Sequence, residues 1–142
     1  MADRFTGEGE TSDKTSIEQR LPLTPAVFHI LLALAEGERH GYAIMREVAD
    51  QSGGQMRLGP GTLYGSIRRM LEEGYIEESE ARPDPALDDE RRRYYRLTPY
   101  GRRVAEAEAA RLQALTRTAE ERGLLRSAPG LLGQPARAGG AL

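Results

Sequence analysis

Residues 58–76 read Leu-Gly-Pro-Gly-Thr-Leu-Tyr-Gly-Ser-Ile-Arg-Arg-Met-Leu-Glu-Glu-Gly-Tyr-Ile, and their pattern decides the fold. Apolar residues recur at i, i+4, i+7 and i+8, which is one face of an α-helix: Leu63, Ile67, Met70 and Leu71. The acids Glu72 and Glu73 are confined to the last turn. The helix dipole and nearby arginines favour phosphate at the other end. The stretch therefore predicts a recognition helix that enters a DNA groove by its N-terminal half.

The polar face of this predicted helix carries the candidate DNA contacts. They are Thr62, Tyr64, Ser66, Arg68 and Arg69. Hydroxyl and guanidinium groups bind phosphate and base edges, and the small Gly61 and Gly65 permit close approach. The alternative is a solvated helix face with no ligand, as for most exposed charged pairs.

The segments around this helix predict a winged helix-turn-helix, a mainly α fold. Thr24 and Pro25 are a cap-and-proline start for a first helix, which Gly37 ends. A second helix is expected over residues 41–52 and the third over residues 60–74. Gly41 and Tyr42 are expected to pack the second helix onto the first, with the Tyr42 phenol finding a partner at the rim. A short strand beginning at Tyr75-Ile76, a loop over residues 82–90 and an alternating stretch over residues 91–97 then predict a β-hairpin wing.

The wing supplies a second set of candidate contacts. Along the alternating stretch, Arg93, Tyr95 and Leu97 share one face, and Tyr95 is expected in the core. The candidates for phosphate contact are Arg91, Arg92, Arg93 and Tyr94. The alternative is a charged strand edge that only prevents aggregation.

The domain boundaries are predicted from helix-breaking residues and from changes in composition along the chain. Residues 1–20 are polar and aperiodic and are predicted to be a flexible arm, followed by a winged helix-turn-helix domain over residues 21–97. Residues 98–125 predict one long helix whose apolar stripe is thin, so a partner helix is expected and the helix is assigned to dimerisation. Residues 126–142, rich in Gly, Ala and Pro, predict a disordered tail.

Composition narrows the function classes. The net charge is −2, but nine acids fall within residues 72–90, whereas residues 91–103 hold six arginines and no acid. With no cysteine and two histidines, a metal site is not expected, and neither a cofactor site nor a catalytic constellation is recognisable. We therefore expect no enzyme activity. The polar N-terminus and the absence of a long apolar run predict a cytoplasmic protein.

Four segments in this order resemble the PadR family of bacterial transcriptional regulators. They are His40-Gly41-Tyr42-Ala43-Ile44, Gly61-Thr62-Leu63-Tyr64, Leu71-Glu72-Glu73-Gly74-Tyr75-Ile76, and Tyr94-Tyr95-Arg96-Leu97-Thr98-Pro99-Tyr100-Gly101. The single C-terminal helix is similar to that of the family's smaller size class. The resemblance implies a homodimeric repressor at a palindromic operator of double-stranded DNA, released by a small hydrophobic or phenolic effector or a stress signal. It also implies that the third helix reads the major groove, and that dimerisation uses the segments 98–123 and 24–36.

Two departures and two alternatives accompany this resemblance. Gly65 stands where a larger residue or proline is expected, and the wing tip is acidic, with Asp84, Asp88, Asp89 and Glu90. Phosphate repels such a tip. A winged helix used as a protein–protein adaptor is one alternative, because a fold does not fix a function. A DNA-binding protein without any effector is the other, because no residue set specifies a ligand-binding site.

Overall fold

The structure, a computed structural model, describes residues 16–79 and 93–126. Its helices and strands, in chain order, are α1 (Pro25–Leu34), β1 (Arg39–His40), α2 (Gly41–Gln51), α3 (Pro60–Glu73), β2 (Ile76–Glu78), β3 (Tyr94–Leu97) and α4 (Pro99–Glu121). Three helices, a small sheet and a long terminal helix confirm the mainly α winged helix-turn-helix predicted from the sequence.

The chain divides into two compact units, Met1–Glu108 and Ala109–Leu142, and α4 runs through the boundary. In the first unit, α1, α2 and α3 enclose a core whose centre includes Leu31, Ile44 and Leu63, each fully buried. Each such side chain stabilises the fold by about 1.5–3 kcal/mol. In the described part of the second unit, residues 109–126, no residue is buried. None of the described helices combines the length and apolar character that a bilayer span needs.

The sheet has three antiparallel strands in the order β1-β3-β2. The predicted hairpin is formed by β2 and β3, with Glu77 opposite Arg96 and Glu78 opposite Tyr95. Tyr95 is buried, as expected for the core face of β3. The sequence did not predict β1, because two residues are too short to show an alternation. Its His40 lies opposite Tyr94.

A close backbone contact joins the end of α3 to the start of α4. Gly74 ends α3 in the left-handed conformation, with φ of 83°. The Thr98 hydroxyl donates to the Gly74 carbonyl at 2.6 Å and accepts from the Gly101 N–H at 2.9 Å, so it caps α4. A Cβ atom on Gly101 would lie 1.9 Å from the Tyr75 carbonyl oxygen, so only glycine fits this position. The contact therefore fixes where α4 begins.

Tyr75 is the aromatic centre of the same junction. Its ring is buried, lies 5.9 Å from the Tyr100 ring, and has the Arg20 guanidinium 6.0 Å from its centroid. Burial raises the pKa of the Tyr75 phenol, although the Arg20 charge acts in the opposite direction. The phenol therefore stays protonated and neutral at physiological pH.

The predicted flexible arm over residues 1–20 is wrong for its last five residues. Residues 16–19 are helical, and Ile17 is buried in the core cluster. Arg20 forms an ion pair with Glu73 at the end of α3. One apolar side chain that reaches the core gives no periodic signal, which is why the sequence pattern missed it. The remainder of the arm, residues 1–15, and all but the first residue of the predicted tail lie outside the described residues.

Candidate nucleic-acid interface

α3 is held in the first unit by its apolar face. Leu63, Ile67 and Met70 are buried, as the spacing predicts, and Pro60 occupies the first turn. The first turn of α2 packs against this helix at Gly41, where an added Cβ would lie 2.4 Å from the Tyr64 hydroxyl oxygen. The absence of a side chain at Gly41 therefore sets the approach of α2 to α3.

Tyr64 does not lie on the exposed polar face where the sequence analysis placed it. Only 9% of its surface is exposed, because its ring fills the space beside Gly41. At four residues from Pro60 it borders the apolar stripe, and a helical-face argument assigns such border positions poorly. Tyr64 is therefore a packing residue between α2 and α3, and we remove it from the candidate contacts.

The other predicted contacts on α3 remain accessible. Thr62, Arg68 and Arg69 are exposed, and Ser66 is half-buried. A Cβ atom on Gly61 or Gly65 would meet nothing within 4 Å, so the surface beside these side chains is open. This face has the donors and the free space that contact with a polynucleotide requires.

The arginines of the first unit fall into two groups by their partners. Arg39 lies 3.6 Å from carboxylate oxygens of Glu36 and Glu47, and Arg96 lies 2.9 Å from Glu77. Among the residues that the structure describes, three exposed arginines of α2, α3 and the segment between them lie in no ion pair. They are Arg46, Arg57 and Arg69. With no carboxylate within 4.0 Å among the described residues, each of these three guanidinium groups is available to bind an anion such as phosphate.

Of the four contact residues predicted in the wing, two lie in the described part of the chain. Arg93 is exposed and lies 3.7 Å from a carboxylate oxygen of Glu78, a surface pair that a phosphate can replace at little cost. Tyr94 is half-buried. Arg91 and Arg92, together with the acidic tip, lie outside the described residues.

His40 connects the wing to α2. Its ring meets the Tyr94 ring edge-on, with centroids 5.2 Å apart. Its Nδ1 accepts a hydrogen bond from the Ala43 N–H at 3.1 Å, so His40 caps α2 in the tautomer that carries its proton on Nε2. Tyr42, the second residue of α2, is 41% exposed, as expected for a ring at the rim of the helix packing.

The fold is shared with a solved regulator. The structure of Bacillus subtilis PadR in complex with operator DNA matches this chain with a TM-score of 0.51 and 22% sequence identity. The match covers 61% of this chain and 47% of that chain. At this level of identity the likeness concerns the fold alone.

Sequence comparisons identify the family. The profile of the transcriptional regulator PadR-like family matches residues 30–107. The transcriptional regulator Rv3488 of Mycobacterium tuberculosis is 35% identical over 89 residues, which cover 63% of this chain and 77% of that protein. An uncharacterized 37.1 kDa protein in a transposon of Streptomyces fradiae is 39% identical over 61% of this chain, but the match spans only 23% of that protein. The chain therefore belongs to the PadR-like family of transcriptional regulators.

Proposed function

We propose that this protein is a sequence-specific DNA-binding regulator that represses transcription as a homodimer. The observation that carries the proposal is the exposed face of α3. It combines Thr62, Arg68 and Arg69 with open space beside two glycines, on a helix whose other face is buried. An arginine bidentate to guanine contributes about 1–3 kcal/mol of discrimination against the wrong base.

In this proposal the remaining contacts position the duplex. Ser66 on α3 and the wing residues Arg91, Arg92, Arg93 and Tyr94 bind phosphate or sugar and carry no sequence information of their own. Phosphate contacts make the affinity fall steeply with salt, because each one releases a counterion from the duplex.

Dimerisation through the second half of α4 is supported by its exposed leucines. Leu112 and Leu115, three residues apart on the helix, are 36% and 55% exposed. A second copy of the chain would cover this apolar edge. Leu32 on α1, the other segment that the family resemblance assigns to the dimer, is 40% exposed. A two-fold dimer places its two α3 helices on half-sites about 34–36 Å apart, which implies a palindromic operator.

Release by a small hydrophobic or phenolic effector completes the proposal. An effector that binds better to one spacing of the two α3 helices shifts the dimer towards that spacing. Phe28, half-buried on α1, is an aromatic candidate for contact with it. This step rests on the resemblance to ligand-responsive family members.

Fluorescence anisotropy with the DNA upstream of the encoding gene tests the proposal. We expect Arg69→Ala to weaken binding about tenfold or more, because loss of a base-reading arginine removes up to about 3 kcal/mol. Glu106→Ala, at an exposed position of α4, is the control and is expected to leave the affinity unchanged. Equal binding by both variants, or no preference for the upstream DNA over an unrelated duplex, would contradict it.

A further inference from the structure

We propose that the N-terminal strap, residues 16–23, holds α4 at a fixed angle to α3, and that Arg20 and Glu108 are positioning residues for the spacing of the two half-sites. The inference rests on the proposed function, because it assumes that a dimer reads two half-sites with its two α3 helices. The strap precedes the part of the chain that the family profile matches, so membership of the family does not account for its contacts.

The strap is attached to the first unit at both of its ends. Near its start, Ile17 is buried in the core cluster. Arg20 then forms an ion pair with Glu73 in the last turn of α3. At the far end, the Leu23 N–H donates a hydrogen bond to Glu108 Oε2 of α4 at 3.2 Å. The strap therefore connects the end of α3 to a point well inside α4.

Two contacts of α4 determine its direction. At Gly101 the helix backbone packs directly on the Tyr75 carbonyl, where a Cβ atom has no room. Glu108 follows two turns later, or about 10 Å along the axis at about 1.5 Å per residue. One contact fixes the position of a helix, whereas a second contact further along also fixes its direction. The bond from the strap to Glu108 therefore fixes the angle at which α4 leaves the end of α3.

Burial of a carboxyl group at this point of α4 needs a physical reason. Glu108 is 2% exposed, and removing its carboxyl group from water costs free energy that an apolar side chain of similar size would not cost. Buried polar groups are retained in some proteins because they select one geometry of packing. We assign that role to Glu108, because its partner Leu23 leads directly into the start of α1.

The ion pair between Arg20 and Glu73 also restrains geometry more than it stabilises the fold. About a third of each side chain is exposed, 36% and 35%, and ion pairs with such exposure contribute little to stability. The Arg20 guanidinium is held on a second side by the Tyr75 ring, whose centroid lies 6.0 Å away. A shift of the strap along α3 would break both contacts.

A small shift of the strap has a large consequence in a two-fold dimer. With Gly101 as the pivot, a displacement of about 1 Å at Glu108 turns α4 by about 5–6°. Each α3 helix lies about 17 Å from the dimer axis when the half-sites are about 34–36 Å apart, so this turn moves it by up to about 1.5–2 Å. The separation of the two α3 helices then changes by up to about 3–4 Å, which equals the rise of one base pair.

Fluorescence anisotropy with duplexes that differ in half-site spacing tests the inference. The duplexes are the upstream operator, the same operator with one base pair inserted or removed between its half-sites, and a single half-site. The unaltered protein is expected to bind the original spacing about tenfold or more tightly than the altered spacings. The reason is that one base pair moves a half-site by about 3.4 Å and turns it by about 34–36°.

Four variants alter the strap contacts. Arg20→Ala is expected to reduce the spacing preference about three- to fivefold, the factor that an ion pair of this exposure supplies, and to leave the affinity for the single half-site unchanged. Arg20→Glu combined with Glu73→Arg re-forms the pair and is expected to recover the preference that Arg20→Glu alone loses. Glu108→Leu removes the acceptor and is expected to act like Arg20→Ala, whereas Glu108→Gln keeps an acceptor oxygen and should retain the preference. Ile44→Val, which trims a buried side chain of α2, is the control and should lower the melting temperature without changing the preference.

The outcomes separate this inference from the proposed function. If Arg20→Ala keeps the spacing preference, or if Ile44→Val loses it to the same extent, the positioning role is refuted and the proposed function stands. If Arg20→Ala also weakens the single half-site, its effect runs through α3 itself, and the inference is again refuted. A protein that prefers the upstream DNA but is indifferent to spacing would overturn the inference alone. If the unaltered protein prefers no sequence, both proposals fail.

Discussion

The two halves of α4 differ in what stabilises them. Up to Glu108 the helix buries Gly101, Val104 and Glu108 in the first unit, and Thr98 caps its start. From Ala109 onwards no described residue is buried, although the helix continues to Glu121. The second half, residues 109–121, is so short that as an isolated helix it would be only marginally stable in water, however favourable its residues.

In the dimer that we propose, the difference gives one helix two structural purposes. The first half is part of the folded domain, so changes there should lower the stability of each chain. The second half is rich in alanine and other strong helix formers, and its side chains Leu112 and Leu115 are exposed to solvent. Changes there should alter assembly and leave the domain folded.

Gly101→Ala should break the first half most severely. The new Cβ would meet the Tyr75 carbonyl oxygen at 1.9 Å, and backbone atoms cannot move aside as a flexible side chain does. We expect a loss of about 3–5 kcal/mol in the free energy of unfolding, measured by urea denaturation. Gly65→Ala on α3 is the matched control, because a Cβ there meets nothing within 4 Å. It should be neutral or stabilise by up to about 1 kcal/mol, and equal losses would refute the contact.

Glu108→Ala should be next in size. Glu108 is 2% exposed, and its Oε2 accepts a hydrogen bond from the Leu23 N–H at 3.2 Å. Removing the carboxylate leaves that donor without its acceptor, which costs about 2–3 kcal/mol of unfolding free energy. Glu108→Gln keeps an amide oxygen at the same place and should lose less. A smaller loss for alanine than for glutamine would show that the carboxylate does not stabilise the N-terminal segment.

The double variant Leu112→Asp/Leu115→Asp should act on the second half alone. Charges in a buried dimer contact should raise the dimer dissociation constant at least tenfold, as measured by sedimentation equilibrium. This corresponds to a loss of about 1.4–3 kcal/mol in the free energy of association. The circular dichroism of the folded domain should persist. Gln113→Asp, which adds a charge at another exposed position of the same turn, is the control. A dimer that is unaffected by the double variant would remove α4 from the interface.

Thr98→Ala should have the smallest of these effects. It removes the cap of α4 and the bond to the Gly74 carbonyl, with an expected loss of about 1 kcal/mol in unfolding free energy. Thr118→Ala in the second half is the matched control, since within residues 16–79 and 93–126 the Thr118 hydroxyl bonds only to the Ala114 carbonyl of its own helix. Its effect should stay within about 0.5 kcal/mol. Equal effects in thermal denaturation would mean that the cap does not anchor α4.

Much of the fold could be predicted from local patterns. Pro60 and Gly74 bound α3 as expected, and Pro25 and Pro99 stand at the starts of α1 and α4. These signals are local, because a proline or a left-handed glycine acts on its own turn. The apolar stripe of α3 was also placed correctly. The candidate contacts were predicted less well, because exposure of a residue at the border of a stripe depends on the neighbouring helix.

Tyr42 and Tyr64 show where that limit lies. Both are tyrosines beside a glycine, and the sequence analysis placed Tyr64 on the exposed face and only the phenol of Tyr42 at the rim. The structure buries Tyr64 because Gly41 on α2 leaves room for its ring, and it exposes Tyr42 because the same contact turns the next residue outwards. Neither fact can be read within a single helix.

The sequence by itself determined the four long helices, the two strands of the wing and the family, because these depend on spacing, caps and ordered motifs within short segments. The tertiary structure alone decided which tyrosine is more exposed and that Ile17 joins the core. It also decided that, among the described residues, Arg39 has carboxylate partners whereas Arg46 and Arg69 have none. The reason is physical: burial and ion pairing are set by atoms from distant parts of the chain, which meet only when the helices pack.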